Sequence, residues 1–414
     1  MSSEACPRLI VFSTLFPHRG QPGAGLFIRE RMFRVARKMP VTVVAPVPWF
    51  PFQHLLRRWR PGFRPSAPKV ETQNGIRVLH PRFFSVPGVF KSVDGWFMAL
   101  GTYLTMRQLQ REGANLIDAH FGFPDGDAAV LVGGWLNLPV TITLRGTEVP
   151  HARDPRRRRR LIKALSRADR LFAVADALKR HAVGLGVPNE KIRVIGNGVD
   201  TAKFFPVSRV EARRTLGVPE NAPVLISVGG LTERKGFHRV LDCLPSLLER
   251  FPGLRYLIVG GATAEGDWEK RLREKVRQMN LGRSVHFLGF VPPDRLREPL
   301  SAADVFVLAT RNEGWANVFL EAMACGLPVV TTDVGGNREV VFEDSLGRVI
   351  PFGDSAALLA ALNEALSGSW DREAIVAHAR RNSWDDRVET LQEEFMAVLA
   401  ARNSGLWKRT VPYG

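Results

Sequence analysis

Two glutamates eight residues apart have the types and surroundings that suit chemistry on a sugar phosphate. Glu313 lies in a polar loop after the apolar run Val305 to Leu308, which predicts a buried strand. Glu321 lies within Val318 to Cys325, a segment that Asn317 can cap as a helix and that is apolar nearly all round. Burying a carboxylate is costly unless a partner compensates it. Because helix N-termini attract anions, the arrangement favours a ligand that joins a sugar to phosphate.

The residues after this predicted helix add a second strand and a glycine turn. Val329 to Thr331 predicts the strand, and Gly335 with Gly336 predicts a turn at which backbone can approach a ligand closely. The alternative interpretation is that Glu313 and Glu321 are structural partners of arginine and lysine side chains.

A glycine-containing loop with two adjacent cations follows another predicted strand, Val224 to Val228. Gly229 and Gly230 come first, and Arg234 and Lys235 precede the next predicted helix. Arginine offers a forked set of donors and lysine a compact charge, so the pair suits a diphosphate at a helix end. A generic basic loop is the alternative.

The first half of the chain begins with a similar pattern. Arg8 to Thr14 predicts a buried strand, and Phe16 to Arg29 predicts a glycine-containing loop that leads into a helix from Leu26. Such a loop often borders a ligand site at the carboxyl end of a parallel strand. Gly25 is the preferred contact and Gly23 the second, although a plain strand-to-helix connection would have the same pattern.

A histidine ends another predicted strand, within Asn115 to Phe123. Because the carboxyl ends of parallel strands face the ligand crevice of an open sheet, His120 is a candidate site residue. Asp118 is expected to support it. A purely structural histidine is the alternative.

These residues together resemble a known family. Glu313 and Glu321, followed by the runs EAMACGLPVV, TDVGG and NREVV, closely resemble the donor site of retaining glycosyltransferases of family 4, which have the GT-B fold. The resemblance covers most of the chain and is strongest from Val224 to Val341. It agrees with the alternation of predicted strands and helices, and it implies an α/β protein with two doubly wound Rossmann-like domains facing an interdomain cleft.

The resemblance also implies roles for individual residues. His120 and Glu313 would contact the transferred sugar, Arg234 and Lys235 would bind the diphosphate, and Glu321 would hold the ribose. The catalytic set is therefore His120, Arg234, Lys235 and Glu313. The donor-binding set is Gly25, Gly230, Arg234, Lys235, Gly260, Phe290, Val291, Gly314, Trp315, Ala316, Asn317, Val318 and Glu321.

Two positions depart from the family pattern. Trp315 stands where phenylalanine is commoner, which should alter the shape of the pocket. Arg145 and Glu148 stand where the family usually has histidine and aspartate. Arg145 could meet the donor diphosphate or an anionic acceptor, and its role is left open.

The family chemistry transfers a sugar from a nucleoside diphosphate to an acceptor with retention at the anomeric carbon. The departing phosphate can take the acceptor proton, so no base is expected. The sequence shows no paired-carboxylate motif of the metal-binding kind, and we therefore expect neither a metal nor any other cofactor.

Charge and aromatic residues bear on the acceptor. The chain has a formal net charge of +17. Aromatic and basic residues alternate in Pro46 to Pro65, Pro81 to Gly101 is rich in aromatics, and five arginines run from Arg156 to Arg160. These segments suit an anionic membrane and a lipid-linked saccharide. Single-stranded nucleic acid would also suit them, although the donor motifs make that partner unlikely.

Length and cysteine content complete the prediction. The 414 residues suffice for two cores, with domains at 1–202 and 203–382 and a helix in 383–414 that returns to the first domain. Three unpaired cysteines suit a reducing, cytoplasmic setting at the inner face of the plasma membrane. We predict a transferase of cell-surface or extracellular polysaccharide biosynthesis. The rival functions are a nucleotide-sugar epimerase and a nucleic-acid-binding protein.

Overall fold

The computed structural model describes residues 6–59, 63–89, 91–263 and 266–404. Arg60 and Phe90, which belong to the aromatic and basic segments, lie outside these ranges. The chain divides into two compact units, residues 1–197 with 385–414, and residues 198–384. The boundaries of these units lie a few residues from the predicted domain boundaries after residues 202 and 382.

The first unit is built on one mainly parallel sheet. Its strands are β1 (Leu9–Phe12), β2 (Val41–Val44), β3 (Val47–Trp49), β4 (Val70–Gln73), β5 (Ile76–Leu79), β6 (Arg82–Phe84), β7 (Leu116–His120), β8 (Val140–Leu144), β9 (Arg170–Ala173) and β10 (Ile192–Val194). Its first helices are α1 (Leu26–Val35), α2 (Gln53–Trp59), α3 (Asp94–Arg111), α4 (Asp127–Leu136), α5 (Glu148–His151), α6 (Pro155–Arg167) and α7 (Asp176–Gly184).

The strand order of this sheet is β10-β9-β8-β7-β1-β2-β5-β4. Every residue of β1, β7 and β8 is buried, as expected for parallel strands covered on both faces. Strand β4 runs antiparallel to β5 at the edge, and β3 pairs with β6 in a separate two-stranded sheet. Strands β3, β4 and β6 are not predicted from the sequence, because segments of three or four residues with mixed polarity carry little periodic signal.

The second unit also has a parallel sheet, with the strand order β13-β12-β11-β14-β15-β16. Its strands are β11 (Val224–Val228), β12 (Arg255–Val259), β13 (Val285–Gly289), β14 (Val305–Leu308), β15 (Val329–Thr332) and β16 (Gly347–Ile350). Its helices are α8 (Arg209–Thr215), α9 (Phe237–Arg250), α10 (Glu269–Gln278), α11 (Arg297–Ala302), α12 (Asn317–Ala324), α13 (Asn337–Val340), α14 (Ser355–Ser367) and α15 (Arg372–Arg381).

The order of the strands in the second unit reverses beside β11. The chain passes from β11 to β12 and β13 on one side and then to β14 on the other, so that β11 and β14 are neighbours. Loops that leave the carboxyl ends of such a pair diverge and open a crevice, which is where open α/β sheets bind ligands. The predicted α/β class is confirmed.

The last helix, α16 (Trp384–Asn403), packs on the sheet of the first unit. Its buried side chains recur at helical spacing and join the first core: Val388, Leu391, Phe395 and Leu399. The Phe395 ring lies 5.6 Å from the Phe172 ring of β9, and Arg170 Nε donates to Glu394 Oε2 at 2.7 Å. The helix therefore contributes to the core of the first unit, although it follows the second unit in the sequence.

Within the described residues, no helix combines the length and the apolar content needed to cross a membrane.

We expect Phe395→Ala to destabilise the first unit by about 3–5 kcal/mol, because a fully buried ring leaves a cavity that the sheet cannot fill. The neighbouring Met396 is 41% exposed, and Met396→Ala should change stability by less than about 0.5 kcal/mol. Urea unfolding followed by circular dichroism compares the two variants. Equal losses would contradict the packing role of α16.

Candidate active site

The carboxylate of Glu313 is the centre of the site in the second unit. Arg234 and Lys235 lie in a 3-10 turn after β11, and Glu313 lies in the loop after β14. Lys235 Nζ lies 2.6 Å and Arg234 Nη1 3.2 Å from the same oxygen, Glu313 Oε1. Thr310 Oγ1 donates to that oxygen at 3.1 Å. The loops of two neighbouring strands are thus joined through one carboxylate oxygen.

The backbone of these loops is packed as well. Arg311 N donates to Arg234 O at 2.8 Å, and Arg234 Nη1 donates to Asn312 O at 2.6 Å. Gly335, after β15, has a φ of 55°, and a Cβ there would lie 1.7 Å from Glu313 O. Only glycine allows this approach, so the glycine turn predicted to face a ligand also fixes the position of Glu313.

Helix α12 carries Glu321, eight residues after Glu313. Asn317, Val318 and Glu321 are partly exposed on one face, whereas the residues between and after them are buried: Phe319, Leu320, Ala322, Met323 and Ala324. The expectation that the helix buries Glu321 among apolar residues was therefore wrong. Burial of the Cys325 thiol, and then the negative charge of Glu321, raise the pKa of that thiol to about 12.

The start of α12 also differs from the prediction. Asn317 is the first helical residue, and Ala316 occupies the N-cap position without a side-chain hydrogen bond. Trp315 is half-buried beside it, and within the described residues its indole nitrogen has no hydrogen-bond partner. The segment Gly314 to Val318 thus lies between Glu313 and Glu321 at the N-terminus of a helix.

The other predicted donor residues of the second unit follow strands β11, β12 and β13 of the same sheet. Gly230 follows β11 and Gly260 follows β12, and Gly260 N is engaged in a bond to Gly289 O at 2.8 Å. Phe290 follows β13 and is 68% exposed, and Val291 is half-buried. All these residues lie at the carboxyl edge of one parallel sheet. The sequence predicts that they follow strands, and the structure shows that these strands belong to the same sheet.

In the first unit, His120 is fully buried at the end of β7. Arg145 Nε donates to its Nδ1 at 3.1 Å. An arginine can only donate, so Nδ1 carries no proton and the neutral ring carries its proton on Nε2. Burial, then the charges of Arg145 and Arg31, hold the pKa of His120 well below its ordinary value. Nε2 lies 3.5 Å from Asp118 Oδ2.

Arg145 is held from several sides. Its Nη1 donates to Asn197 Oδ1 at 3.3 Å, and its guanidinium lies over the Phe27 ring at 5.1 Å from the centroid. Its backbone nitrogen donates to Glu148 Oε2, which also accepts from Gly146 N at 2.7 Å. The two departures from the family pattern, Arg145 and Glu148, are therefore neighbours in one network around His120.

Arg31 is a buried charge that the sequence analysis missed. It lies on the buried face of α1 with Ile28, Met32 and Val35, and burial lowers its pKa to about 10. Within the described residues, none of its side-chain nitrogens has a hydrogen-bond partner. The signal was available, since position 31 falls on the apolar stripe of a helix where a charge is unexpected.

Two buried carboxyl groups lie near the same strand ends. Burial raises the pKa of Asp118 to about 6, against the bond from Thr141 and the charges of Arg31 and Arg145. Burial raises the pKa of Asp125 to about 7, although Thr14 Oγ1 donates to its Oδ2 at 3.1 Å. That bond joins the loop after β1 to the turn after β7.

The predicted glycine of the first loop has an internal role. Gly25 precedes α1 with a φ of 66°, and a Cβ there would lie 2.2 Å from Leu15 O. Glycine is therefore required for the loop to turn back on itself, whereas nothing lies within 4 Å of a Cβ at Gly23. The ligand contact assigned to Gly25 stays a prediction.

Each unit thus collects its own predicted residues. The second unit brings Arg234, Lys235 and Glu313 into contact, and the first unit brings His120 and Arg145 into contact. Among the residues that the structure describes, no group of three or more histidine, cysteine, aspartate or glutamate side chains could hold a metal ion.

Comparison with known proteins identifies the class. Residues 208–382 match the family described as glycosyl transferases group 1, and residues 81–203 match glycosyltransferase family 4. The chain is 30% identical over 351 residues to D-inositol 3-phosphate glycosyltransferase of Corynebacterium urealyticum, covering 80% of this chain and 82% of that one. The chain therefore belongs to the family 4 glycosyltransferases, and it is an enzyme that transfers glycosyl groups.

Two further relatives extend this result. The chain is 26% identical over 402 residues to the putative teichuronic acid biosynthesis glycosyltransferase TuaC of Bacillus subtilis, covering 94% of this chain and 95% of that one. The structure superimposes on that of Anabaena Alr3699/HepE, determined in complex with UDP, with a TM-score of 0.72 at 20% identity, covering 94% of this chain and all of that one. The predicted GT-B fold is confirmed.

The bond from Arg145 to His120 predicts a fixed tautomer. In ¹⁵N-histidine NMR spectra, His120 should show an unprotonated Nδ1 and a protonated Nε2 that do not titrate between about pH 5.5 and 8. Arg145→Met removes a nearby positive charge, so the pKa of His120 should rise, while burial keeps it below its ordinary value. His120→Gln assigns the resonance, and Arg158→Met, on the exposed part of α6, is the control. A proton on Nδ1 in the unmutated protein would contradict the bond.

Proposed function

We propose that the protein transfers a sugar from a nucleoside diphosphate to a lipid-linked saccharide, with retention, in cell-surface or extracellular polysaccharide biosynthesis. The observation that carries the donor assignment is the cluster of Arg234, Lys235 and Glu313 at the point where the strand order reverses. Two cations and one carboxylate, with the N-terminus of α12 following, match a donor that has a diphosphate and a hydroxylated sugar.

Donor binding would change the partners of the cluster. A diphosphate carries more negative charge than one carboxylate, so it competes with Glu313 for Arg234 and Lys235. As these cations turn to the phosphate, the Glu313 carboxylate becomes available to accept hydrogen bonds from sugar hydroxyls. Glu321, on the exposed face of α12, would accept from the ribose hydroxyls.

We propose the following roles for these groups in the reaction. The bond between the anomeric carbon and the phosphate oxygen breaks, and the electron pair leaves with the nucleoside diphosphate. An acceptor hydroxyl forms the new bond on the same face of the sugar, and its proton passes to the departing phosphate oxygen. Arg234 and Lys235 stabilise the charge that develops on that oxygen. His120, with its proton on Nε2, would act as a hydrogen-bond donor rather than as a base.

The proposal of a lipid-linked acceptor is supported by the positive charge of α6. Helix α6 buries Leu161, Ala164 and Leu165 and exposes Arg156, Arg158 and Arg159, so one face packs and the other can meet anionic phosphates. The relative TuaC is named as a putative glycosyltransferase of teichuronic acid biosynthesis, and teichuronic acid is a polysaccharide. Both features support a peripheral enzyme at the cytoplasmic face of the plasma membrane that extends a lipid-linked saccharide.

The donor assignment is tested by calorimetry with a panel of UDP-, GDP- and ADP-sugars. We expect one donor to bind tightly and Glu321→Ala to weaken it by at least about tenfold, which is about 1.4 kcal/mol. Glu274→Ala, on the exposed side of α10, is a matched control and should leave binding unchanged. A folded protein that binds none of the panel would overturn the donor assignment. Product analysis by NMR reports the anomeric configuration, and inversion would overturn retention.

Activity should persist in excess chelator, because Arg234 and Lys235 supply the positive charge that a metal would otherwise bring to the diphosphate. Initial rates with and without EDTA measure this directly. Loss of activity that Mn²⁺ or Mg²⁺ restores would show that Arg234 and Lys235 do not replace a metal ion at the diphosphate.

A further inference from the structure

The first unit contains two adjoining cavities at the β3–β6 strand pair. One, of about 850 Å³, is lined by residues from β3, α2, β4, β5, β6 and α3, and the other, of about 510 Å³, by β3, β6 and α3. Trp49 and Arg82 line both cavities. The two spaces therefore meet at one tryptophan and one arginine, and neither is part of the sites described above.

The surface around these cavities is apolar and exposed. Trp96, Leu100 and Leu104 follow one another at spacings of four along α3 and are 43%, 48% and 75% exposed. The spacing places them on one face of the helix. Phe52, just before α2, is 72% exposed, and Trp59, the last residue of α2, is 87% exposed. Exposed apolar surface of this extent marks a binding surface rather than a solvated one.

The polar groups of the cavities are mainly cationic or neutral. Lys69, Arg77 and Arg82 line the larger cavity, and no aspartate or glutamate of the described residues lines either one. Arg77 is paired with Glu112. Within the described ranges, neither Lys69 nor Arg82 has a carboxylate partner. The cavities therefore combine apolar walls with two cations that are available to an anion.

We propose that these cavities bind the lipid carrier of the acceptor, an anionic lipid with a long hydrocarbon chain and a phosphate. The chain lies along Trp49, Phe84 and the apolar face of α3, and the phosphate lies at Arg82 and Lys69. Arg82 is the charged residue that lines both cavities, so it is placed to bind the phosphate through its forked donors while the hydrocarbon chain occupies the apolar space. This inference rests on the proposed transferase function.

A carrier lipid fits these features better than the lipids of a bilayer. A bilayer meets a protein as a broad apolar surface, which the protruding Trp59 and Leu104, neither of which lines a cavity, would suit. The larger cavity is a recess of limited volume, and such recesses bury one ligand and select it by shape and by a few polar groups. The protruding residues and the recesses thus have separate tasks, which separate substitutions can test.

Farnesyl phosphate is the probe for the cavities, with farnesol and inorganic phosphate as its two halves. Titration of the tryptophan fluorescence should show binding of farnesyl phosphate that is tighter than that of either half. Arg82→Gln should weaken it by at least about tenfold, because a charge-assisted hydrogen bond is lost. Arg107→Gln changes an exposed arginine of α3 that lines neither cavity and should have no effect.

A second variant separates the carrier site from membrane contact. Trp59 lines neither cavity, so Trp59→Ser should reduce sedimentation with anionic vesicles and leave farnesyl phosphate binding unchanged. Equal farnesyl phosphate affinity in Arg82→Gln and the unmutated protein would overturn the proposal. So would equal affinity for farnesol or inorganic phosphate, or vesicle binding without farnesyl phosphate binding.

Donor calorimetry distinguishes this proposal from the proposed function. If the protein binds a nucleotide sugar but not farnesyl phosphate, only the carrier site is wrong. If it binds farnesyl phosphate but no nucleotide sugar, the cavities bind lipid in a protein whose donor assignment has failed.

Discussion

One carboxylate oxygen holds together two loops at the carboxyl edge of the sheet in the second unit. Glu313 Oε1 meets Lys235, Arg234 and Thr310, and so joins the loop after β11 to the loop after β14. These strands are neighbours only because the strand order reverses between them. The fold thus creates a crevice and the charges fix its edges. If a diphosphate binds as we propose, each cation can exchange Glu313 for a group that carries more negative charge.

The first unit uses a different device at the equivalent edge of its own sheet. Glu148 binds the backbone after β7 and β8, and Arg145 extends from that turn to His120 and Asn197. The family usually has a histidine at position 145, and a histidine can change its protonation state. Arg145 can only donate hydrogen bonds. The result is a neutral histidine of one tautomer, which suits the binding of hydroxyl groups more than proton transfer.

The first unit has a buried central sheet and, between β2 and α3, segments with many exposed side chains. Its central strands are buried on both faces, and α16 completes that core. The segments between β2 and α3 keep aromatic and aliphatic side chains in contact with solvent and enclose two cavities beside them. A family 4 glycosyltransferase must bind both a donor and an acceptor, and this surface is unlike the polar cluster that Glu313 organises.

The sequence alone determined the class, most strand positions and the donor motifs, because apolar runs, glycine turns and charged pairs are local features. Strands β11 and β14 have the predicted bounds. Tertiary structure decided the rest. The partial exposure of Glu321 and the bond between Arg145 and His120 depend on which faces of distant segments meet. Local periodicity does not encode such meetings, since residues 25 or more positions apart are brought together only when the sheet forms.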